Sequence, residues 1–268
     1  MTRINDNDTY LRKMRNTFKD KAWWIKDIPE DVDTIVDFGC ADGSFIQYLK
    51  ERKLQVSNYV GVEGNYDFLK ECKAKGIPCF DSLDEAVTEG KISPSRSLLV
   101  LNSVLHEVAY YNGSIIQFLF YNISTLGFKY IVIRDMMAGD YGLYSSKTEK
   151  ELKKEIWKHD GLEEKLKDFR EYHGDIHDGR TAIHFLLKYF YDENWSRECR
   201  ENYLSLDYWE LHKLMRETGY DICFQKFYAL PYLIMKWKKD FNAEENKEIM
   251  KFLGEATTHF RMFIQKGE

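Results

Sequence analysis

The segment Val36-Asp37-Phe38-Gly39-Cys40-Ala41-Asp42-Gly43-Ser44-Phe45 has the residue types of a ligand-binding turn between a strand and a helix. Glycine takes strained backbone angles without a Cβ penalty and lets a ligand approach the main chain. Gly39 is placed for that approach, and Gly43 keeps the helix start close to the strand. Roughly 20 residues further on, Tyr59-Val60-Gly61-Val62 runs directly into Glu63-Gly64. A carboxylate at about that spacing accepts both ribose hydroxyls of a bound nucleoside. The plainer alternative is a bend that uses glycine for its angles alone, with Glu63 as an ordinary turn residue.

A second cluster, His173-Gly174-Asp175-Ile176-His177-Asp178, brings two histidines and two acids within six positions. Such a set can ligate a divalent metal. A polar hinge between two helices accounts for it equally simply, and no metal is expected.

These residues need strands and helices to hold them. Thr34 to Phe38, Tyr59 to Val62, Ile77 to Phe80, Leu98 to Leu101 and Tyr130 to Ile133 are short apolar runs that read as strands. Helices are predicted between them: after Ser44, which is placed to cap the first, then over Tyr66 to Lys75, Leu83 to Val87 and Ile115 to Leu126. This alternation predicts a parallel, doubly wound sheet. It breaks after Asp135. Residues 140–203 are dense in charge of both signs, carry Leu152, Ile156, Leu162 and Leu166 at helical spacing, and read as a helical cap insertion. The pattern resumes with a helix over Leu206 to Thr218, a strand over Ile222 to Phe227, helices over Tyr232 to Lys239 and Glu244 to Leu253, and a last strand over Thr258 to Gln265. Residues 10–27 read as an amphipathic helix in an N-terminal extension, 1–30, that covers the domain or a ligand mouth. Residues 31–139 and 204–268 then form the sheet domain.

Asp37-x-Gly39-x-x-x-Gly43 resembles the first motif of class I S-adenosylmethionine-dependent methyltransferases, with Ala41 at the position of that motif's middle glycine. The Gly-x-Gly-x-x-Gly spacing of dinucleotide-binding proteins does not fit Gly39, Ala41 and Gly43. The resemblance covers about residues 30–135, with a weaker echo from Leu206 onward. It implies a Rossmann-like seven-stranded α/β sheet with the last strand antiparallel, and S-adenosyl-L-methionine as cofactor. By the same resemblance Asp37, Gly39, Cys40, Ala41, Gly43, Glu63 and Gly64 hold the cofactor. Asp81 and Ser82 read its adenine edge, and Asn102 and Ser103 begin the segment that lines the methyl-transfer site. Methyl transfer needs an acceptor held in line behind the sulfonium methyl, exclusion of water, and a base where the nucleophile carries a proton. His106 and Glu107 lie at the strand end where that base or an acceptor anchor belongs, though the pair would equally cap a helix. Arg134, paired in sequence with Asp135, is placed to steer an anionic acceptor or to form a structural ion pair.

Bulk properties narrow the partners. The 268-residue chain is 44% hydrophobic and 31% charged, as expected of a globular protein with a core. Its net charge of -5 gives no general attraction to nucleic acid. Arg12, Lys13, Arg15, Lys19 and Lys21 at the N-terminus can supply a local basic strip for RNA. The five cysteines make no Cys-x-x-Cys pair and read as buried or free thiols. No apolar run approaches a membrane span and no signal peptide is evident, so a cytoplasmic protein is expected. Three functions follow in order: methyl transfer to an oxygen or nitrogen of a small-molecule acceptor, methylation of RNA or a nucleotide, and cofactor binding by a non-catalytic partner or regulatory protein.

Overall fold

The computed structural model describes residues 15–111, 113–137, 139 and 144–267. Most of the basic strip's first half, and residues 10–14 of the expected N-terminal helix, lie outside these. In chain order the elements are α1 (Phe18–Lys21), β1 (Thr34–Phe38), α2 (Ser44–Glu51), β2 (Asn58–Val62), α3 (Tyr66–Ala74), β3 (Cys79–Phe80), α4 (Leu83–Thr88), β4 (Ser97–Asn102), α5 (Leu105–Tyr111), α6 (Gly113–Leu126) and β5 (Tyr130–Met136). Then follow α7 (Ser146–Ile156), α8 (Leu162–His173), α9 (Gly179–Leu186), α10 (Trp195–Glu198), α11 (Tyr208–Glu217), β6 (Tyr220–Tyr228), α12 (Pro231–Asp240), α13 (Lys247–Glu255) and β7 (His259–Lys266).

The seven strands form one sheet in the order β3-β2-β1-β4-β5-β7-β6. The β1–β2, β1–β4, β2–β3 and β4–β5 pairs are parallel. β7 runs against β5: Met137 N donates to Thr258 O at one end, and Lys266 N donates to Lys129 O at the other. The expected seven-stranded sheet with an antiparallel last strand is therefore observed. β1 and β4 are apolar along nearly their whole length and buried, as strands covered on both faces must be. The strand order reverses between β1 and β4, so the crevice at their carboxyl ends is where this architecture binds ligands.

One expected element is shorter than its apolar run. Pro78 has no N–H for a ladder, and β3 reduces to Cys79 and Phe80, although the Pro78 carbonyl still accepts from Gly61 N at 2.8 Å. Of the expected N-terminal helix, the described residues show Arg15 helical and a separate turn, α1, followed by a 3-10 turn at Ile25–Asp27. The chain turns here to bury Phe18, Ala22 and a fully buried Trp24 in the core with Ile35, Phe45, Leu98 and Val132.

The chain divides into two compact units. One contains the described residues of 8–135, 209–225 and 261–268, with the parallel strands. The other contains those of 136–208 and 226–260. Its core joins Leu152, Ile156, Leu166, Phe169 and Phe185 to Trp237, Phe241, Ile249 and Phe252. The sequence reading places α12 and α13 with the sheet domain; they instead complete the core of the helical insertion, because their apolar faces have partners there.

Candidate functional site

The turn after β1 is built as its glycines suggest, for three separate reasons. Gly39 has φ +73°, and a Cβ there would lie 2.8 Å from Val104 Cγ2, on the segment after β4. Gly43 has φ +75°, and its Cβ would meet Ile77 and Cys72, so glycine here brings the start of α2 close to α3 and β3. Ala41 takes φ +47°, a left-handed conformation that strains any residue with a Cβ. Ser44 is the first residue of α2 rather than its cap. Asp42 does the capping, with Oδ1 accepting from Ser44 N at 3.1 Å, while its other oxygen pairs with Lys75 at 2.5 Å.

Glu63 is joined directly to this turn. Its Oε2 accepts from Ala41 N and its Oε1 from Asn65 N, both at 2.8 Å. Burial pushes its pKa up, and these two N–H donors oppose that. A carboxylate has about four acceptor positions, so two remain for ligand hydroxyls. The turn and the acid, 24 positions apart, thus share one strand end.

A narrow cleft opens beside the turn, between the ends of β1 and β4. Asp37, Gly39, Cys40, Ala41, Ser44 and Asn102 line it, with Phe18 and Lys21 from α1. Its enclosed volume is about 20 Å³, room for about one water. Asn102 is buried, and its Nδ2 has no hydrogen-bond partner. Buried amides are almost always satisfied, so an orphaned donor on a cleft wall marks a place where a ligand oxygen fits. Asp37 and Lys21 are both buried. Burial raises Asp37 to about 7, against the pull of Lys21. Burial, aided by Arg134, lowers Lys21 to about 8, against Asp37, Asp135 and Glu107. Sequence reasoning placed Lys21 in an exposed basic strip. In the structure it faces carboxylates, and the strip is further divided by Arg15, which lies 3.4 Å from Asp42.

The remaining expected residues separate into site and scaffold. Asp81 is exposed at the end of β3, while the Ser82 side chain caps α4 by accepting from Glu85 N. Gly64 has open space where a Cβ would be, so nothing in the fold requires glycine there. Ser103 sits at φ +54° and its hydroxyl accepts from Arg134 Nη1 at 2.7 Å. Arg134 is buried and its Nε donates to Asp20 at 2.8 Å; Arg261 pairs with the same carboxylate. The ion-pair reading of Arg134 therefore describes the structure better than the steering of an anionic acceptor. His106 is also buried. Its Nδ1 lies 2.6 Å from Asp135 Oδ1, and Asp135 Oδ2 accepts from Leu105 N at 2.7 Å. Asp135, a residue of β5, thus caps α5 and fixes the imidazole together. Glu107 is half-buried in the first turn of α5.

The His173–Asp178 cluster is a set of caps and pairs. His173 Nε2 meets Cys199 O at 2.8 Å, Asp175 pairs with Lys153 and Arg170, and Asp178 forms a capping box with Thr181 at the start of α9. The polar-hinge reading fits these contacts.

The family model for the methionine biosynthesis protein MetW matches residues 19–119, the stretch that carries the turn, Glu63 and Asn102. No curated protein matches the chain. Among solved structures, mycolic acid cyclopropane synthase CmaA1, crystallised with SAH and CTAB, is 12% identical with a TM-score of 0.52, covering 94% of this chain and 85% of that one. The [4+2]-cyclase SpnF is 8% identical with a TM-score of 0.51, covering 94% and 82%. A chain of the complex between the Haloferax volcanii Trm112 methyltransferase activator and a methyltransferase is 11% identical with a TM-score of 0.51, covering 97% and 95%. At these identities the likeness is one of fold.

Proposed function

We propose that this chain, which has the fold of class I S-adenosylmethionine-dependent methyltransferases, is itself such an enzyme and methylates an oxygen or nitrogen of a small-molecule acceptor. The observation that carries this reading is the unpartnered Asn102 amide in the cleft beside the Gly39–Gly43 turn. It offers a donor for the carboxylate of the cofactor's amino-acid tail, and Asp37 offers an acceptor for its ammonium. Glu63 keeps acceptor capacity for the ribose. Bound there, S-adenosylmethionine supplies an activated methyl. Transfer breaks its S–C bond, forms a bond from carbon to the acceptor's oxygen or nitrogen, and releases a proton where the acceptor carried one.

The enclosed cleft is too small for a nucleoside, so binding requires the side chains of Phe18 and Lys21 to shift. His106, buried against Asp135, acts as a positioning residue that sets the start of α5. A second reading, a cofactor-binding protein without transfer, is favoured by that same burial of His106 and Arg134. RNA as acceptor finds less support, since Lys21 is removed from the basic strip. Incubating the protein with methyl-labelled cofactor and cell extract separates the three. Label in a small-molecule fraction supports the proposal, label in RNA redirects the acceptor, and cofactor binding without any label supports the second reading.

A further inference from the structure

At the turn after β1, beside the cleft that Cys40 also lines, three cysteine thiols meet. Cys40 comes from the turn after β1, Cys72 from α3 and Cys79 from β3, three elements that the chain brings together only on folding. Cys40 Sγ lies 3.6 Å from Cys79 Sγ and 3.9 Å from Cys72 Sγ, and all three sulfurs lie within 4.8 Å of one another. Each residue is at most 4% exposed. Around a zinc-type ion with metal–sulfur bonds of about 2.3 Å, sulfurs in tetrahedral array are separated by roughly 3.8 Å. The two spacings from Cys40 are of that size. Among the described residues this is the only group of three or more metal-ligating side chains so arranged.

The neighbouring backbone makes room for it. Gly61, on β2, has no positive φ to explain its glycine, yet a Cβ there would lie 2.6 Å from Cys40 Sγ and 3.2 Å from Cys79 Sγ. Ile46, Ile77 and Leu69 belong to the same apolar cluster as the three cysteines. Buried cysteines do pack as small apolar side chains. Mere packing, however, does not call for three sulfurs from three elements to converge on one point.

We propose that Cys40, Cys72 and Cys79 form a three-thiolate site for a soft divalent cation of the zinc type. On binding, each thiol gives its proton to solvent and its sulfur forms one bond to the ion; no oxidant or reductant is needed. Three thiolates leave the complex with one negative charge around a divalent ion but two around copper(I). In a site this buried the smaller net charge is the better fit, because each uncompensated charge costs desolvation. An ion there would tie the cofactor turn to α3 and β3, and the inference holds whether or not the cleft binds S-adenosylmethionine.

The test uses the full chain, reduced and freed of metal, titrated with cadmium(II) as a spectroscopic stand-in and with zinc(II) as competitor. The expected result is a sulfur-to-metal charge-transfer band that saturates at one cadmium per chain, falls as zinc is added, and is lost in Cys72→Ala and in Gly61→Ala. The double variant Cys199→Ser/Cys223→Ser keeps all three proposed ligands and must keep the band. Absence of the band in the wild-type chain overturns the proposal. So does its survival in Cys72→Ala, or its loss in the double variant. A Cys72→Ala protein that fails to fold, judged by circular dichroism, leaves the wild-type titration and the double variant to decide.

Discussion

Ala41 and Glu63 meet at one hydrogen bond, and each carries a distinct consequence. Ala41 is held at φ +47°, where glycine has no penalty. Ala41→Gly should therefore stabilise the fold by ~1 kcal/mol, read as a higher urea midpoint. An unchanged or lower midpoint would show that the turn relaxes around alanine. Glu63 accepts two backbone N–H groups and is proposed to accept ribose hydroxyls as well. Glu63→Ala should weaken S-adenosylmethionine binding by about 10- to 100-fold, the value of a charged hydrogen bond at roughly 1.5–3 kcal/mol. Titration calorimetry reads this, and an unchanged affinity would remove Glu63 from the binding site. His106→Ala should destabilise the protein by ~3 kcal/mol, because it leaves the buried Asp135 carboxylate without its imidazole partner. These residues differ in how legible they were. The turn and Glu63 are local: a strand end, two glycines and an acid at fixed spacing. Lys21 was not, because a lysine is buried only when distant carboxylates face it, and sequence does not display those. The same holds for Arg134, whose partner Asp20 lies 114 positions away.

At the scale of elements, α1 is fastened to the sheet by one carboxylate. Asp20 receives Arg134 from β5 and Arg261 from β7. Arg134 is buried, so Asp20→Ala leaves a buried guanidinium without its counter-charge and should cost ~3 kcal/mol. Chemical denaturation would show it as a lower midpoint, and an unaltered midpoint would mean that the other partners of the guanidinium, Ser103 among them, suffice to hold it. The strands themselves were readable from apolar runs bounded by glycine, and their parallel arrangement followed from the alternation with helices, while the antiparallel last strand was implied only by the resemblance. The edges were less so. Pro78 trims β3 because it lacks a donor. Past α1 the chain turns at Ile25–Asp27 with Trp24 in the core, an outcome that depends on what the segment packs against.

At the scale of the molecule, the division into units was the least legible feature. An amphipathic helix such as α12 or α13 announces an apolar face but not its partner. The helical unit holds a basic group in which His184 and Lys188 are buried and His173 half-buried, with the two imidazole centroids 4.3 Å apart. Burial, then Lys188, lowers His173 to about 4 and lowers His184 well below its ordinary value. Both imidazoles are thus neutral in the folded chain at pH values where the unfolded chain binds protons. The two imidazoles should therefore pull stability down as pH drops from about 6.5 toward 4, against the buried Asp37, whose raised carboxyl takes up a proton in the folded chain over the same range. Thermal melting across that range checks this, and His184→Gln should flatten the decline; a steeper decline in the variant would contradict it.

Titration calorimetry of the full chain with S-adenosylmethionine addresses the whole account most directly. The account predicts saturable binding of one cofactor per chain, with Asn102→Ala and Glu63→Ala each reducing affinity while the fold persists. The absence of both heat and a thermal shift at millimolar cofactor would contradict it, and would leave the sheet as a scaffold for some other ligand.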